Sequence, residues 1–248
     1  MSAVLNLILT HQPAPTVAKL IRYWSQYVAP KSILIAYGGD RGEFNRIDTA
    51  QKFFVESTRL RTRDHQREFQ SYTEIFRGAV AWLDDESRNF DFIHFAEYDH
   101  LPLVRDLNTR QIAQLEAEEA DLLGYSLARV DDTNHPHFLY HSSSVSFAAF
   151  WRRITCRADA TVVLSILGTG SFWSRAAFCA VAAAEEPFPI YTEIYLPTMA
   201  HHLGFRVRPF DEQQHPFVQA LGDATDKVDL ARVRGAWTLH PVKRFWDN

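Results

Sequence analysis

The chain has 248 residues, 46% hydrophobic and 23% charged, with a formal net charge of −4. That length supplies one large α/β domain or two small ones with ample core, and the mild acidity gives no general pull on nucleic acid or anionic lipid. Two cysteines, Cys156 and Cys179, show no metal-type spacing and make no disulfide scaffold.

No apolar run reaches the roughly 18 residues of a membrane span, and no signal-like segment opens the chain, so a soluble cytoplasmic protein is expected. Val4 to Leu9 reads as a first buried strand, followed by the polar turn Thr10-His11-Gln12-Pro13. Pro15 and Thr16 open a helix with Val17, Leu20, Ile21 and Trp24 on one face. Ser32 to Tyr37 is a second strand, Gly38-Gly39-Asp40 its turn, and Lys52 to Val55 a third short strand. Strand, helix and strand at these intervals predict a βαβ unit and a parallel sheet. Arg59, Arg61, Arg63 and Arg67 form the only local basic cluster and read as a solvated loop, with a small anion site as the alternative.

Phe69, Tyr72, Phe76, Ala79 and Leu83 recur at helical spacing between Gln66 and Leu83, a helix that leads into the apolar strand DFIHFAEYDH. Glu97 and Asp99 stand two apart where that strand runs out, so both carboxylates fall on one side of an extended chain. Ligands bind at strand ends in open α/β sheets, and two hard oxygen ligands there suit a Mg²⁺ or Mn²⁺ that also holds a diphosphate; the alternative is a polar strand-to-loop transition with two solvated acids.

Beyond this stretch, Thr109–Glu119 reads as a helix and Ala120–Tyr125 as a strand. Asp131–His141 reads as a polar loop whose His135, His137 and His141 do not make a zinc site. Thr161–Leu167 is a strand ending at Gly168-Thr169-Gly170, either a ligand-side loop or a turn. Ser174–Ala184 is helical. Tyr191–Leu203 is a helix broken at Pro197 and stopped by Gly204, with His201 and His202 stabilising its C-terminal end, and Phe205–Val207 is a last strand. Trp151, Trp173 and Trp237 either stack on sugar faces or pack in the core. The absence of a repeat or long linker favours a single domain of two halves, residues 1–105 and 106–248.

Taken in order, LNLILTHQ with SILIAYGGD, the strand ending Glu97-Tyr98-Asp99, GTGSFWSR, and Thr192-Glu193-Ile194-Tyr195-Leu196 resemble glycosyltransferases of the GT-A fold. The resemblance covers most of the chain as a pattern, without a long diagnostic string. It implies a Rossmann-like, mixed but mainly parallel sheet flanked by helices. The first half would bind the nucleotide and the second the acceptor.

Glu97-Tyr98-Asp99 looks like the family's Asp-x-Asp motif, although its first acid is Glu, which serves either the metal or the nucleotide ribose. Asp99 is then the metal ligand, and His240 in LHPVK sits where many such enzymes place a further one, the alternative being a packed or surface histidine. Thr10, His11 and Gln12 would line the base and ribose. Gly39 would let the backbone approach the ligand, unless Gly38-Gly39 is an ordinary positive-φ turn, and Asp40 would accept from the base. Glu193 would be the catalytic base of an inverting transfer; equally, it is an acid in a helix's first turn.

The implied activity is metal-dependent transfer of a sugar from a nucleotide-diphosphate donor such as a UDP-sugar, with Mn²⁺ or Mg²⁺, to a carbohydrate or other hydroxyl acceptor. Two alternatives stand beside it: a catalytically silent protein keeping the fold as a scaffold, and a nucleotide-sugar pyrophosphorylase. Against the latter, the N-terminal region lacks a Gly-rich basic loop for a triphosphate.

Overall fold

The computed structural model describes residues 2–56, 65–85, 88–155, 162–184 and 190–246, without the side chains of residues 65–72 and 155. In chain order the first elements are β1 (Val4–Thr10), α1 (Ala14–Trp24), β2 (Ile33–Tyr37), α2 (Arg41–Arg46), β3 (Lys52–Phe54), α3 (His65–Asp85), β4 (Phe92–Glu97) and β5 (Leu101–Pro102). There follow α4 (Leu107–Ala117), β6 (Leu122–Gly124), β7 (Ala128–Arg129), α5 (Pro136–Ser142), α6 (Val145–Thr155), β8 (Leu164–Ser165), β9 (Ser171–Ser174) and α7 (Arg175–Ala182). The chain closes with α8 (Thr192–His202), β10 (Val207–Pro209), α9 (Val228–Val233) and β11 (Thr238–Leu239).

Seven strands form the central sheet in the order β10-β6-β9-β4-β1-β2-β3. All pair in parallel except β9, which runs antiparallel between β4 and β6. The expected mixed, mainly parallel sheet flanked by helices is what forms. Its central strands are buried and mainly apolar because helices cover both faces, with Asn6 of β1 and His94 of β4 meeting at 3.3 Å inside the layer. Leu5, Leu7 and Leu9 of β1 join Phe76 of α3, Phe178 of α7 and Ile194 of α8 in one core. Ile8 points the other way, with Ile35 of β2, to meet Val17, Leu20 and Trp24 of α1. Each of these fully buried side chains contributes about 1.5–3 kcal/mol.

Several expectations need correcting. Ser32 lies in a 3₁₀ turn, Pro30–Ser32, ahead of β2. The predicted polar loop from Asp131 contains α5, with Pro136 in its first turn. The 161–167 strand shrinks to Leu164–Ser165, and the last sheet strand begins only at Val207. Pro197 does not break α8. A proline four residues on leaves the Glu193 carbonyl without its helical donor, and the Ile166 N–H supplies one from the β8 segment at 2.9 Å. Gly204 does stop the helix, at φ +94°. Trp173 is fully buried in the core, while Trp151 and Trp237 are half-buried against it. Arg59, Arg61 and Arg63 of the arginine cluster lie outside the described residues, as do the side chains of Arg67, Phe69 and Tyr72, together with Cys156 and with Thr161 of the predicted strand. Cys179 is a free thiol. No helix among the described residues is long and apolar enough to cross a membrane.

Candidate functional site

The carboxyl ends of β1, β2 and β4 lie along one edge of the sheet. At that edge β4 ends on Glu97 and the chain turns at once, the His100 N–H bonding back to the Glu97 carbonyl at 3.0 Å. Asp99 therefore sits in a turn, and it is this turn, not strand alternation, that brings the two acids together.

Other segments hold the turn in place. The Glu97 N–H donates to Thr169 Oγ1 at 2.9 Å, the Val242 N–H to the Asp99 carbonyl at 2.9 Å, and Trp246 Nε1–H to the Tyr98 carbonyl at 3.0 Å. Thr169 is placed in turn by the Gly170 N–H, which donates to the Phe95 carbonyl at 2.9 Å. Gly170 has φ +78°, and a Cβ there would overlap the ring of His100.

His240 reaches the turn although it lies 141 positions after Asp99, because β11 pairs antiparallel with β5 (Leu239 opposite Leu101). Ligand atoms of Glu97, Asp99 and His240 all lie within 4.8 Å of one another. His240 Nδ1 donates to the Gln219 carbonyl at 2.7 Å, which orients the ring so that Nε2 faces Asp99 Oδ1, 3.5 Å away. Asp99 Oδ1 is buried without a hydrogen-bond donor, a deficit of about 1–3 kcal/mol. The carboxylates of Glu97 and Asp99, the latter with its orphaned oxygen, and the His240 imidazole make a donor set that fits Mn²⁺ or Mg²⁺.

Behind this cluster are two buried histidines. Burial pulls the pKa of His94 down to about 3, and burial with His240 and His94 nearby holds His100 well below the usual range. The His100 ring stacks on His240 with centroids 5.6 Å apart.

Glu97 and His240 open into a cleft of about 350 Å³ that Glu193, Gly168 and Thr169 also line. Glu193 projects from the first turn of α8, close enough that a Cβ on Gly168 would stand 3.3 Å from its Oε1. Sequence reasoning set aside His135 and His137, yet both line this cleft. Burial chiefly, then His137, lower the pKa of His135, and Glu193 pulls it partly back, so the imidazole faces the cleft neutral near pH 7. His141 instead accepts the Tyr191 N–H at Nε2, 3.0 Å away, at the start of α8. Pro136, the first residue of α5, was the available sequence signal that this stretch is helical.

Of the residues expected to hold the nucleotide, His11 meets the ring of Tyr98 edge-to-face at 5.1 Å. Thr10 Oγ1 is buried and accepts the Gln12 N–H at 3.2 Å. Gly39 does not use a positive φ; it is glycine because a Cβ would lie 2.6 Å from the Tyr37 hydroxyl and 2.8 Å from the His11 carbonyl. Asp40 caps α2, its Oδ1 accepting from Gly42 and Glu43 N–H groups at 2.7 and 3.2 Å. The sequence signal was Asp40 followed three residues later by Glu43. Glu43 itself reaches across to the Ala14 N–H at 2.8 Å, at the start of α1.

No protein-family model matches the chain, and no curated protein matches its sequence. Among solved structures it is similar to core-mannan synthase A from Aspergillus fumigatus in an Mn/GDP form, at 10% identity over 85% of this chain and 73% of that one, with a TM-score of 0.42. A mannosyltransferase from Pyrobaculum calidifontis in complex with GDP-mannose and Mn²⁺ shares 12% identity over 84% of this chain and 55% of its own, at TM-score 0.46. A CMP:2-keto-3-deoxy-manno-octonic acid synthetase complexed with CTP shares 9% identity over 84% and 89%, at TM-score 0.47. At such identities and scores the residue roles rest on this chain's own geometry.

Proposed function

We propose that the chain is a metal-dependent glycosyltransferase of the GT-A type, moving a sugar from a nucleotide-diphosphate donor to an acceptor hydroxyl with inversion. The observation that carries this reading is the convergence of Glu97, Asp99 and His240 at the end of the central strand, opening into the cleft that Glu193 shares. Asp99 and His240, with Glu97, would hold Mn²⁺ or Mg²⁺, which supplies the Lewis acidity that offsets charge growing on the departing diphosphate.

In this reading the first half, residues 1–105, holds the donor. His11 and Gln12 line its base and ribose, Thr10 shapes their loop from below, Gly39 lets the backbone close on it, and Asp40 accepts from the base through Oδ2. Residues 106–248 hold the acceptor. Glu193 takes the proton of the acceptor hydroxyl as that oxygen bonds to the anomeric carbon. The carbon's bond to the diphosphate breaks, and the electron pair leaves with the nucleoside diphosphate. With its carbonyl tied to Ile166, Glu193 has little backbone freedom, which suits a base that must meet one oxygen.

Calorimetric titration with UDP and GDP, with and without Mn²⁺, tests the reading. Nucleotide binding that requires Mn²⁺ and is lost in Asp99→Ala supports it. Binding indifferent to the metal removes the role of Asp99, and no binding of either nucleotide leaves the scaffold alternative in possession.

A further inference from the structure

The cleft does not end at His240. His240 and Leu221 also line a second groove of about 380 Å³, formed with Phe217, Leu239 and Leu230 of α9. Leu221 is 86% exposed and Leu230 50%, and Val233, one turn along the same face of α9, is 85% exposed. Large apolar side chains held in water beside a candidate active site mark a binding surface more often than chance exposure does.

The rim of the groove is positive. Lys227 and Arg234 line it with no carboxylate at ion-pair distance of either among the described residues, and the one acid in the lining, Asp223, is held by Arg244. Arg244 takes Asp223 at 2.6 Å and Asp226 at 2.8 Å, and Arg232 takes Asp229 at 3.2 Å. Thr225 and Arg244 hold the Asp223 carboxyl well below the usual carboxylate range, so it stays paired. An apolar trough with two uncompensated cations at its edge complements one kind of ligand, a chain ending in a group of charge near −2.

We propose that this groove seats the alkyl chain of an amphiphilic acceptor whose phosphate rests between Lys227 and Arg234. Such seating presents the acceptor's hydroxyl to Glu193 across Leu221 and His240. The proposal rests on the transferase reading and adds the acceptor's class to it. A phosphate is preferred to a carboxylate because its charge of about −1.5 to −2 answers both cations.

Octyl phosphate below its micelle concentration is the probe, titrated by calorimetry beside inorganic phosphate, octyl glucoside and hexyl phosphate. Octyl phosphate should bind, hexyl phosphate about 15-fold more weakly at roughly fourfold per methylene, and inorganic phosphate not measurably. Leu230→Asp and Lys227→Glu should each weaken octyl phosphate at least tenfold while unfolding at the wild-type temperature. Octyl phosphate binding no tighter than phosphate, or no tighter than octyl glucoside, overturns the proposal. So does adsorption to phosphatidylcholine–phosphatidylglycerol vesicles without octyl phosphate binding, which would make the face a membrane patch. UDP and GDP titrations of the same preparation separate the two readings. Nucleotide binding without octyl phosphate binding sinks the acceptor assignment alone. Octyl phosphate binding without either nucleotide sinks the transferase reading and the acceptor role with it.

Discussion

Gly170→Ala should damage the site from outside it. Gly170 and Gly235 share φ +78°, but their surroundings differ. An Ala Cβ at 170 overlaps His100 and comes within 3.1 Å of Tyr125, whereas at 235 nothing lies within 4 Å. His100 cannot yield easily, being wholly buried between Thr169 and the ring of His240. Tyr125 is itself stacked on Phe210 at 4.3 Å. Forcing an L-residue into the left-handed region costs about 1–2 kcal/mol at either position. Overpacking adds about 1–3 kcal/mol at 170 only. Gly235→Ala should therefore lose about 1–2 kcal/mol and Gly170→Ala about 2–5 kcal/mol. The change in unfolded-chain entropy is common to both and cancels in the comparison. Urea unfolding of the two variants, with m-values checked for constancy, gives the difference directly. Equal losses within about 0.5 kcal/mol, the usual surface scatter, would refute the view of His100 as a rigid wall behind the ligand cluster. Mn²⁺-dependent nucleotide binding should also fall in Gly170→Ala and stay intact in Gly235→Ala.

Other outcomes follow from the same geometry. His94 stays neutral in the fold with a pKa near 3, against 6.5 for the free side chain, so between those values only the unfolded chain takes up the proton. Stability is then full above pH 6.5 and declines as pH falls toward 3, by at most about 1.4 kcal/mol per pH unit for this group; His94→Gln should make that decline shallower in denaturation curves taken from pH 7 to 4. Glu193→Gln should lower donor turnover by about 10²–10⁴ while nucleotide still binds, and unchanged turnover would dismiss Glu193 as the base. His240→Ala should weaken Mn²⁺ at least about tenfold, since even partners outside the coordination shell are worth that much; a titration followed by the manganese paramagnetic resonance signal would show it. Phe76→Ala, at a fully buried ring stacked on Phe178 with centroids 4.2 Å apart, should cost about 3–5 kcal/mol in urea unfolding.

The parts of this fold legible in the sequence are those with a strong local period. β1, β2 and β4 are covered on both faces, so each reads as a mainly apolar run, with Asn6 in β1 and His94 in β4 as interior interruptions, and α1 declares itself through Val17, Leu20 and Trp24. β9 was hidden because SFWS is four residues long and directly follows a Gly-Thr-Gly turn, leaving no alternation to detect. The break expected at Pro197 fails for a reason outside the helix, since the missing bond is replaced by an Ile166 N–H distant in sequence. Asp40 shows how one residue type answers two descriptions: an acid after a Gly-Gly turn reads as a ligand, while an acid three residues before Glu43 reads as a helix cap.

At the site, Glu97 and Asp99 were legible as a pair at a strand end, though their convergence comes from the turn. The meeting of His240 with Asp99 depends on the pairing of β5 with β11, a contact no local pattern announces. His135 and His137 were dismissed for irregular spacing, yet spacing within α5 matters less than where α5 packs against the start of α8.

β9 has a bearing on how the protein comes to be made. Its strand mates β4 and β6 lie earlier in the chain, and Phe92 of β4 must wait for Ser174, 82 positions later, to close the sheet. Thr169 arrives with that strand, so the clasp on the Glu97 N–H forms only once a long loop has closed. A nascent chain emerging in order would carry Glu97 and Asp99, and the first five sheet strands, well before the turn between them is fastened. Assembly of the proposed cation site would thereby report completion of the fold: Mn²⁺ affinity, followed during refolding, should appear with the slow, long-range phase.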